Sequence, residues 1–335
     1  MTAKKKIGIV IATLLLAVII ALPIYFMPYI KKIQGAERYS METVNLSTHG
    51  DRIYFLNTGG ADAILIESEG RFALVDGAED SDNPRGFSEL DFEGTEDYVV
   101  DAIRKIAGDE KGNAVLEFVL GTHSHSDHIG GLDTVILDES ITVKAAYIKR
   151  YDESKIKAYE IENWDNKEVY EQMFSACKKR DVPVVHDISE EPFTFGNFTL
   201  KFCNTAETHS TEPVGENENA VGLLIEKNNL RAFLAADINN YDGDEDRLAE
   251  ELGKVNLLKV GHHGYDGSTT HGFVQALSPE FAVVTNRKGG ISRTPLENLN
   301  SVKASVYETG EYNGIVAEFT DDRIELYSGI DSALS

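Results

Sequence analysis

Five of the nine histidines in the chain lie in two short clusters, at residues 121–128 and 260–264. The first cluster reads Gly-Thr-His-Ser-His-Ser-Asp-His, and the second reads Val-Gly-His-His-Gly. Imidazole nitrogens and carboxylate oxygens are ligands that borderline divalent metals such as Zn²⁺ take in proteins. A loop that offers three imidazoles and one carboxylate within a few residues therefore predicts a metal site. A solvated histidine-rich loop is the alternative interpretation. It is the weaker interpretation because a second histidine cluster is present.

Each cluster directly follows a run of strand-forming residues, 117–120 and 257–260. Loops at strand ends can carry functional side chains because a rigid sheet fixes their direction. Short apolar runs typical of strands recur through the chain, at residues 52–56, 63–67, 72–75, 116–120, 142–148, 198–202, 221–225, 231–235, 257–260, 281–284, 315–319 and 323–326. Helical patterns begin near Thr95, Asp165 and Asp244. This mixture excludes a helical bundle and a strictly alternating doubly wound sheet. The sequence predicts an α/β domain in which two mixed sheets are faced by helices.

The charge of the chain restricts the partners that it can bind. The 335 residues carry a formal net charge of −24. Five of the 32 basic residues and none of the 56 acidic residues lie in residues 1–35, so residues 36–335 carry −29. Such an acidic surface repels a polyanion unless metals or a basic groove intervene, and it favours a cationic ligand. Nucleic acid is therefore not the expected partner, and no obligate protein partner is evident.

The N-terminal region has the pattern of a membrane segment. Ile7 to Ile30 is a stretch of 24 residues without a charge, long enough as a helix to span a hydrocarbon core of about 30 Å. Because lysines precede it, we expect residues 1–6 to be a cytoplasmic basic tail and 7–30 a single-pass signal anchor in the plasma membrane. The rest of the chain would then lie outside. A cleaved signal peptide, which would leave a secreted protein, is the alternative.

The remaining chain is predicted to contain a short linker and one domain. Residues 31–50 are polar and read as the linker, and residues 51–330 read as a single folded domain. Cys177 and Cys203 lack the spacing of a thiolate metal site. They are interpreted as two small buried side chains, with one disulfide as the alternative.

The two clusters, the strand-end segment 235–237 and the Asp-Gly turn at 76–77 resemble the metallo-β-lactamase superfamily. Its H-x-H-x-D-H signature matches residues 123–128, and its strand-end Asp and later His match Asp237 and His262. The resemblance covers most of residues 50–330 and implies a hydrolase with a four-layer αββα sandwich fold. In this chain the predicted transmembrane helix precedes that domain. It also implies a centre of two divalent metal ions, zinc or else manganese, with Asp76 orienting a ligand imidazole.

The resemblance assigns the ligands residue by residue. His123 and His125 would bind one metal, Asp127, His128 and His262 the second, and Asp237 would bridge the two; Asp127 and Asp237 are the candidate catalytic residues. Since adjacent residues on a loop cannot be ranked by sequence, His263 is the alternative to His262.

The superfamily pattern is broken at one ligand. Many members have a further histidine about twenty residues before the bridging Asp, where this chain has Glu-Asn-Glu-Asn-Ala at 216–220. His209 lies somewhat earlier and is the alternative ligand. The same absence occurs in competence-type DNA-uptake nucleases, whose His-His-Gly after a strand also matches this chain.

A narrower resemblance extends beyond the ligands. Segments 76–84, 147–151, 163–165 and 236–239 resemble the catalytic domain of teichoic-acid phosphorylcholine esterases of Gram-positive bacteria. This resemblance implies an extracellular phosphodiesterase at a bacterial membrane that acts on phosphocholine-type or other cell-wall phosphoesters through a hydroxide bridging the metals. A competence-type nuclease, another ester or lactam hydrolase and a non-catalytic binding protein are the alternatives.

Four residues in those segments are candidates for binding such a substrate. Tyr147 and Lys149 could contact the phosphoryl group. Tyr151 and Trp164 could supply aromatic faces for a quaternary ammonium. Half-buried packing is the alternative for both aromatic residues.

Overall fold

The computed structural model of the chain describes residues 41–80, 94–206 and 213–335. The predicted basic tail and membrane anchor, and His209, lie outside these ranges. Within them, no helix is both long and apolar enough to cross a membrane.

The described residues form two mixed β-sheets. Seven strands of the first sheet come first in the chain and its other two come last, whereas the middle of the chain forms the second sheet. The strands are β1 Arg52–Phe55, β2 Ile64–Ser68, β3 Arg71–Val75, β4 Ala114–Leu120, β5 Ile141–Val143, β6 Ala146–Tyr147, β7 Val184–Val185, β8 Phe193–Phe195, β9 Phe198–Cys203, β10 Gly222–Lys227, β11 Leu230–Leu234, β12 Leu257–Lys259, β13 Phe281–Val284, β14 Ser305–Glu308, β15 Ile315–Phe319 and β16 Ile324–Ser328.

Each sheet is antiparallel at one side and parallel at the other. The first sheet has the order β16-β15-β1-β2-β3-β4-β6-β7, with β5 also paired to β4, and it is parallel from β3 onward. The second has the order β14-β13-β12-β11-β10-β9-β8 and is parallel from β11 to β14. Loops that follow parallel neighbours leave a sheet at the same edge, which brings residues distant in sequence together.

Helices cover the outer face of each sheet. An inner apolar layer, containing Ile64 and Phe118 of one sheet and Leu223 and Leu257 of the other, fills the space between them. Two outer layers pack helices against the opposite faces, which gives the αββα order. The helices are Glu96–Ile106, Ser126–Ile129, Leu132–Leu137, Ala158–Asn163, Asn166–Lys179, Asp244–Leu252, His271–Leu277, Arg293–Ser301, Thr309–Tyr312 and Ile330–Leu334.

Most of the strands predicted from sequence are confirmed within one or two residues. The single strand expected over 142–148 is divided into β5 and β6, which keep the same register against β4. Strands β7, β8 and β14 are not predicted from the sequence. β7 and β8 are only two and three residues long, and β14 begins with a polar residue. The helices predicted near Thr95, Asp165 and Asp244 are confirmed.

The domain begins before residue 51 and ends after residue 330. Val44 is buried and its amide donates to the carbonyl of Ser328 at 3.0 Å, so residues 41–50 of the predicted linker pack on the first sheet. Leu334 lies in the outer core of the same sheet. Cys177 and Cys203 are both buried free thiols, so the disulfide alternative is not realised.

Candidate metal centre

The predicted site residues meet at the edge where the parallel strands end. The loop 121–128 follows β4, and Asp76 follows β3, its parallel neighbour. In the second sheet, Asp237 follows β11 and the loop 260–264 follows β12. The topology therefore brings together the four chain segments that the sequence singles out.

A first group of potential ligands contains Asp62, His128, Asp237 and His263, all of them buried, with their ligand atoms within 4.8 Å of one another. The Nε2 atoms of His128 and His263 lie 3.1 Å apart. The Oδ1 atom of Asp237 lies 3.1 Å from the first and 3.4 Å from the second.

The outer nitrogen of each imidazole in this group has its own acceptor. His128 Nδ1 lies 2.8 Å from a carboxylate oxygen of Asp76, and His263 Nδ1 lies 3.2 Å from the carbonyl oxygen of Thr285. Because a carboxylate and a carbonyl only accept, both Nδ1 atoms carry the hydrogen in the neutral rings. The two facing Nε2 atoms then present lone pairs to each other and to the carboxylate of Asp237.

A second group of potential ligands contains His123, His125 and Asp237. Here too, the outer nitrogen of each imidazole has its own acceptor. His123 Nδ1 lies 3.0 Å from the hydroxyl of Thr122, which itself donates to Asp76. His125 Nε2 lies 3.3 Å from a carboxylate oxygen of Glu160. His123 Nε2 and His125 Nδ1, which lie 3.1 Å apart, are therefore both left as acceptors.

Acceptors that converge in a buried space need a cation between them. Burial alone would lower the pKa of His128, but the carboxylates of Asp237 and Asp76 raise it well above its usual range. Burial would raise the pKa of Asp237, but His128 and His263 hold it well below its usual range. The site thus favours positive charge, which a proton or a divalent cation supplies, and the donor set of imidazoles and carboxylates fits a metal such as zinc.

The loops reach these positions through left-handed backbone at residues other than glycine. Asp76 has a φ of 59°, Ala236 of 47°, and His262 and His263 of 49° and 48°. Such conformations cost about 1–3 kcal/mol each and persist where the surrounding structure fixes them, often at functional sites. Here they turn the chain sharply after β3, β11 and β12 toward the cluster.

The structure places His263, rather than His262, in the group around His128. His263 is buried, whereas the ring of His262 is 29% exposed and its Nε2 lies 3.9 Å from Asp237 Oδ2. The two side chains diverge because both residues are in the left-handed region. His263, the alternative from the sequence, therefore takes the position assigned to His262. Asp127 lies at the same group, with Oδ2 at 3.5 Å from His263 Nε2.

The four candidate substrate residues are placed differently. Trp164 packs its ring against His125, with the ring centres 4.5 Å apart, and Tyr151 lies 6.0 Å from the ring of Tyr170. The amine of Lys149 is buried without a hydrogen-bond partner among the described residues, and burial lowers its pKa to about 8. Tyr147 is half-buried and packs against the inner core, with its ring centre 5.1 Å from that of Phe202.

Three site residues were not predicted from the sequence. Asp62 and Glu160 have no local signal, because their partners in the cluster are distant in the chain. Lys259 did have a signal, since it is a charged residue inside the apolar run 257–260. Its side chain is fully buried, forms an ion pair with Asp62 and donates to the carbonyl of Ala236 at 3.0 Å.

The comparison with protein families agrees with this geometry. The family model described as the β-lactamase superfamily domain matches residues 99–275, more than half of the chain. The chain belongs to this superfamily and has the metallo-β-lactamase fold. Proteins of this fold are generally metal-dependent hydrolases, and the cluster described above provides ligands for metal ions.

Two curated relatives are similar to this chain at low identity. ComE operon protein 3 of Bacillus subtilis (strain 168) is 24% identical over 226 residues, which are 65% of this chain and 26% of that protein. Recombination protein 2 of Haemophilus influenzae is 25% identical over 122 residues, which are 35% of this chain and 15% of that protein. The matched region thus spans about a quarter or less of each relative.

Two solved structures are similar to part of this chain at low identity. The metallo-β-lactamase fold protein YhfI from Bacillus subtilis has a TM-score of 0.46 at 13% identity, covering 77% of this chain and 95% of that one. Zn²⁺-bound PqqB from Methylobacterium extorquens has a TM-score of 0.43 at 14% identity, covering 77% and 87% of the two chains.

Proposed function

We propose that this protein is a metal-dependent phosphodiesterase that acts on small zwitterionic phosphoesters of the phosphocholine type, such as those of the cell envelope. The observation that carries the proposal is the convergence of four imidazole acceptors on the carboxylate of Asp237. Divalent metals held there would activate a water molecule and polarise a phosphoryl oxygen. Transfer to phosphorus then needs no serine or cysteine nucleophile.

Residues of the chain prepare the site for this chemistry. Asp76 accepts from the amide and hydroxyl of Thr122, both at 2.8 Å, and from His128. It therefore fixes one end of the loop 121–128, the metal loop. Lys149 follows β6, which pairs with β4 next to that loop. Its buried ammonium group, without a partner among the described residues, is suited to hold a non-bridging phosphoryl oxygen.

Aromatic and acidic groups next to the cluster favour a cationic end on the substrate. Trp164 contacts His125, and the ring of Tyr159 lies 6.3 Å from that of Trp164. Burial and the nearby carboxylates of Glu216 and Glu153 raise the pKa of Tyr151, which indicates negative potential on this side. A quaternary ammonium is stabilised by both features.

A nucleic-acid phosphodiester is the second candidate substrate. It is favoured by the similarity to ComE operon protein 3 and Recombination protein 2. The charge of −29 on residues 36–335 argues against it, because a polyanion would be repelled before it reached the metal centre.

The quaternary ammonium group of the proposed substrate gives the first test. The full-length protein is offered p-nitrophenyl phosphocholine and its neutral isostere, p-nitrophenyl 3,3-dimethylbutyl phosphate. We expect kcat/KM to be roughly thirtyfold higher for the choline ester, because a cation–π contact in a desolvated site contributes about 2 kcal/mol. Replacing Trp164 with alanine should bring the two rates close together.

Phe174→Ala is the matched control, because Phe174 is also an aromatic residue but is 45% exposed in the helix Asn166–Lys179. It should preserve the preference for choline. Equal rates on the two esters in the wild-type protein would contradict the zwitterionic substrate. Efficient cleavage of single-stranded DNA at physiological salt would favour the nuclease instead.

The role of Lys149 predicts a specific pH dependence. Because burial lowers the pKa of its amine to about 8, Lys149 is protonated below this pH and loses its charge above it. An arginine remains charged throughout. We therefore expect kcat/KM of the wild-type protein to fall relative to that of Lys149→Arg between pH 8 and pH 10. An unchanged ratio of the two rates across this range would exclude a phosphate contact by Lys149; exposed Lys144→Arg is the control.

A further inference from the structure

Glu160, in the helix Ala158–Asn163, is enclosed against the metal loop. It is 8% exposed, and its Oε2 atom is contacted by three groups. His125 Nε2 lies at 3.3 Å, the side-chain amide of Asn166 at 3.2 Å and the backbone amide of Glu216 at 3.1 Å. A Cβ atom at Gly215 would lie 2.5 Å from the other oxygen of Glu160, so this glycine allows the close approach.

Glu216 occupies the stretch where the superfamily pattern has its further histidine, but it belongs to neither of the two ligand groups. Its Oε2 accepts from the backbone amide of Ser124 at 3.0 Å, and its Oε1 accepts from the side chain of Asn219 at 3.0 Å. Ser124 lies between His123 and His125. Glu216 therefore holds the backbone of the metal loop while Glu160 holds one of its side chains.

We propose that Glu160 and Glu216 form a glutamate clamp that compensates for the missing histidine by positioning His125 rather than by binding metal. The clamp fixes the imidazole with Nε2 outward and Nδ1 toward His123 Nε2, at 3.1 Å. The metal at this group is then held by His123, His125 and Asp237, and its affinity depends on the orientation of His125. Glu160 is a positioning residue for that metal alone, because the group around His128 is oriented by Asp76.

This inference rests only on the metal-binding part of the proposed function, and its test uses no substrate. The metal-free full-length protein is titrated with Zn²⁺ against a chromogenic chelator, and with Co²⁺ by its visible spectrum. We expect Glu160→Ala to lower the affinity of one metal ion by about 10- to 100-fold and to leave the other unchanged. Glu160→Gln keeps an acceptor oxygen and should restore most of the affinity.

Glu162→Ala is the matched control, because Glu162 lies in the same helix and is exposed. It should bind both metals as the wild-type protein does. Wild-type affinities in Glu160→Ala, or an equal loss at both positions, would overturn the clamp. If the wild-type protein binds both metals but does not cleave the choline ester, the proposed substrate fails and the clamp stands.

Discussion

Replacing Asp237 with asparagine is expected to remove bound metal and to lower phosphodiester cleavage by on the order of 10³-fold. Asp237 is the one residue common to both ligand groups, and its Oδ1 lies 3.1 Å from His128 Nε2. Asparagine has the same shape but lacks the negative charge, and its amide nitrogen cannot bind a cation. The loss of Lewis-acid stabilisation is worth several kcal/mol, which gives the expected factor. Metal content and kcat/KM are measured on the same samples.

The control for this prediction is Asp242→Asn, the same chemical change at an exposed position five residues later. It should retain the metal content and rate of the wild-type protein. If Asp237→Asn retained both metals and a rate within tenfold of the wild type, Asp237 would not be the bridging ligand.

The second large effect concerns stability. We expect Lys259→Met to lower the free energy of unfolding by about 3–5 kcal/mol, because it leaves the carboxylate of Asp62 without its ion-pair partner in a fully buried site. The two side chains are 0% and 1% exposed. Urea unfolding of the full-length protein in the presence of a chelator measures this loss without a contribution from bound metal.

Two further variants distinguish a buried ion pair from a general effect of lysine. Lys144 pairs with Glu117 at 2.7 Å, but the side chains are 52% and 30% exposed, so Lys144→Met should cost less than about 1 kcal/mol. Adding Asp62→Leu to Lys259→Met should recover much of the loss, since no unpaired charge remains. A cost below about 1 kcal/mol for Lys259→Met alone would show that Asp62 does not depend on Lys259.

The sequence allowed the two sheets and the metal loops to be predicted for a physical reason. In this fold the ligands follow strands directly, so a local pattern of apolar residues and histidines marks both the element and the site. His123 and His125 required no knowledge of distant contacts. The choice between His262 and His263 did, because the left-handed backbone at both residues decides which ring turns toward Asp237.

The supporting residues could not be predicted from local patterns. Glu160 lies 35 residues from His125 in the chain, and Asp62 meets His263 only after the two sheets have packed together. Neither residue differs in its local sequence from an ordinary surface carboxylate. The burial of Glu216 likewise depends on the position of Ser124, which the topology sets. The neighbours of Tyr147 in the sequence favour substrate binding, whereas in β6 its side chain packs against the inner core.

Metal stoichiometry of the wild-type protein is the most direct test of the binuclear site. The full-length chain is stripped with a chelator, reconstituted with Zn²⁺ or Mn²⁺, freed of excess metal and analysed by inductively coupled plasma mass spectrometry. Two ligand groups that share Asp237 predict about two equivalents per chain. Fewer than one equivalent with both metals would contradict the metal centre and the hydrolytic mechanism built on it.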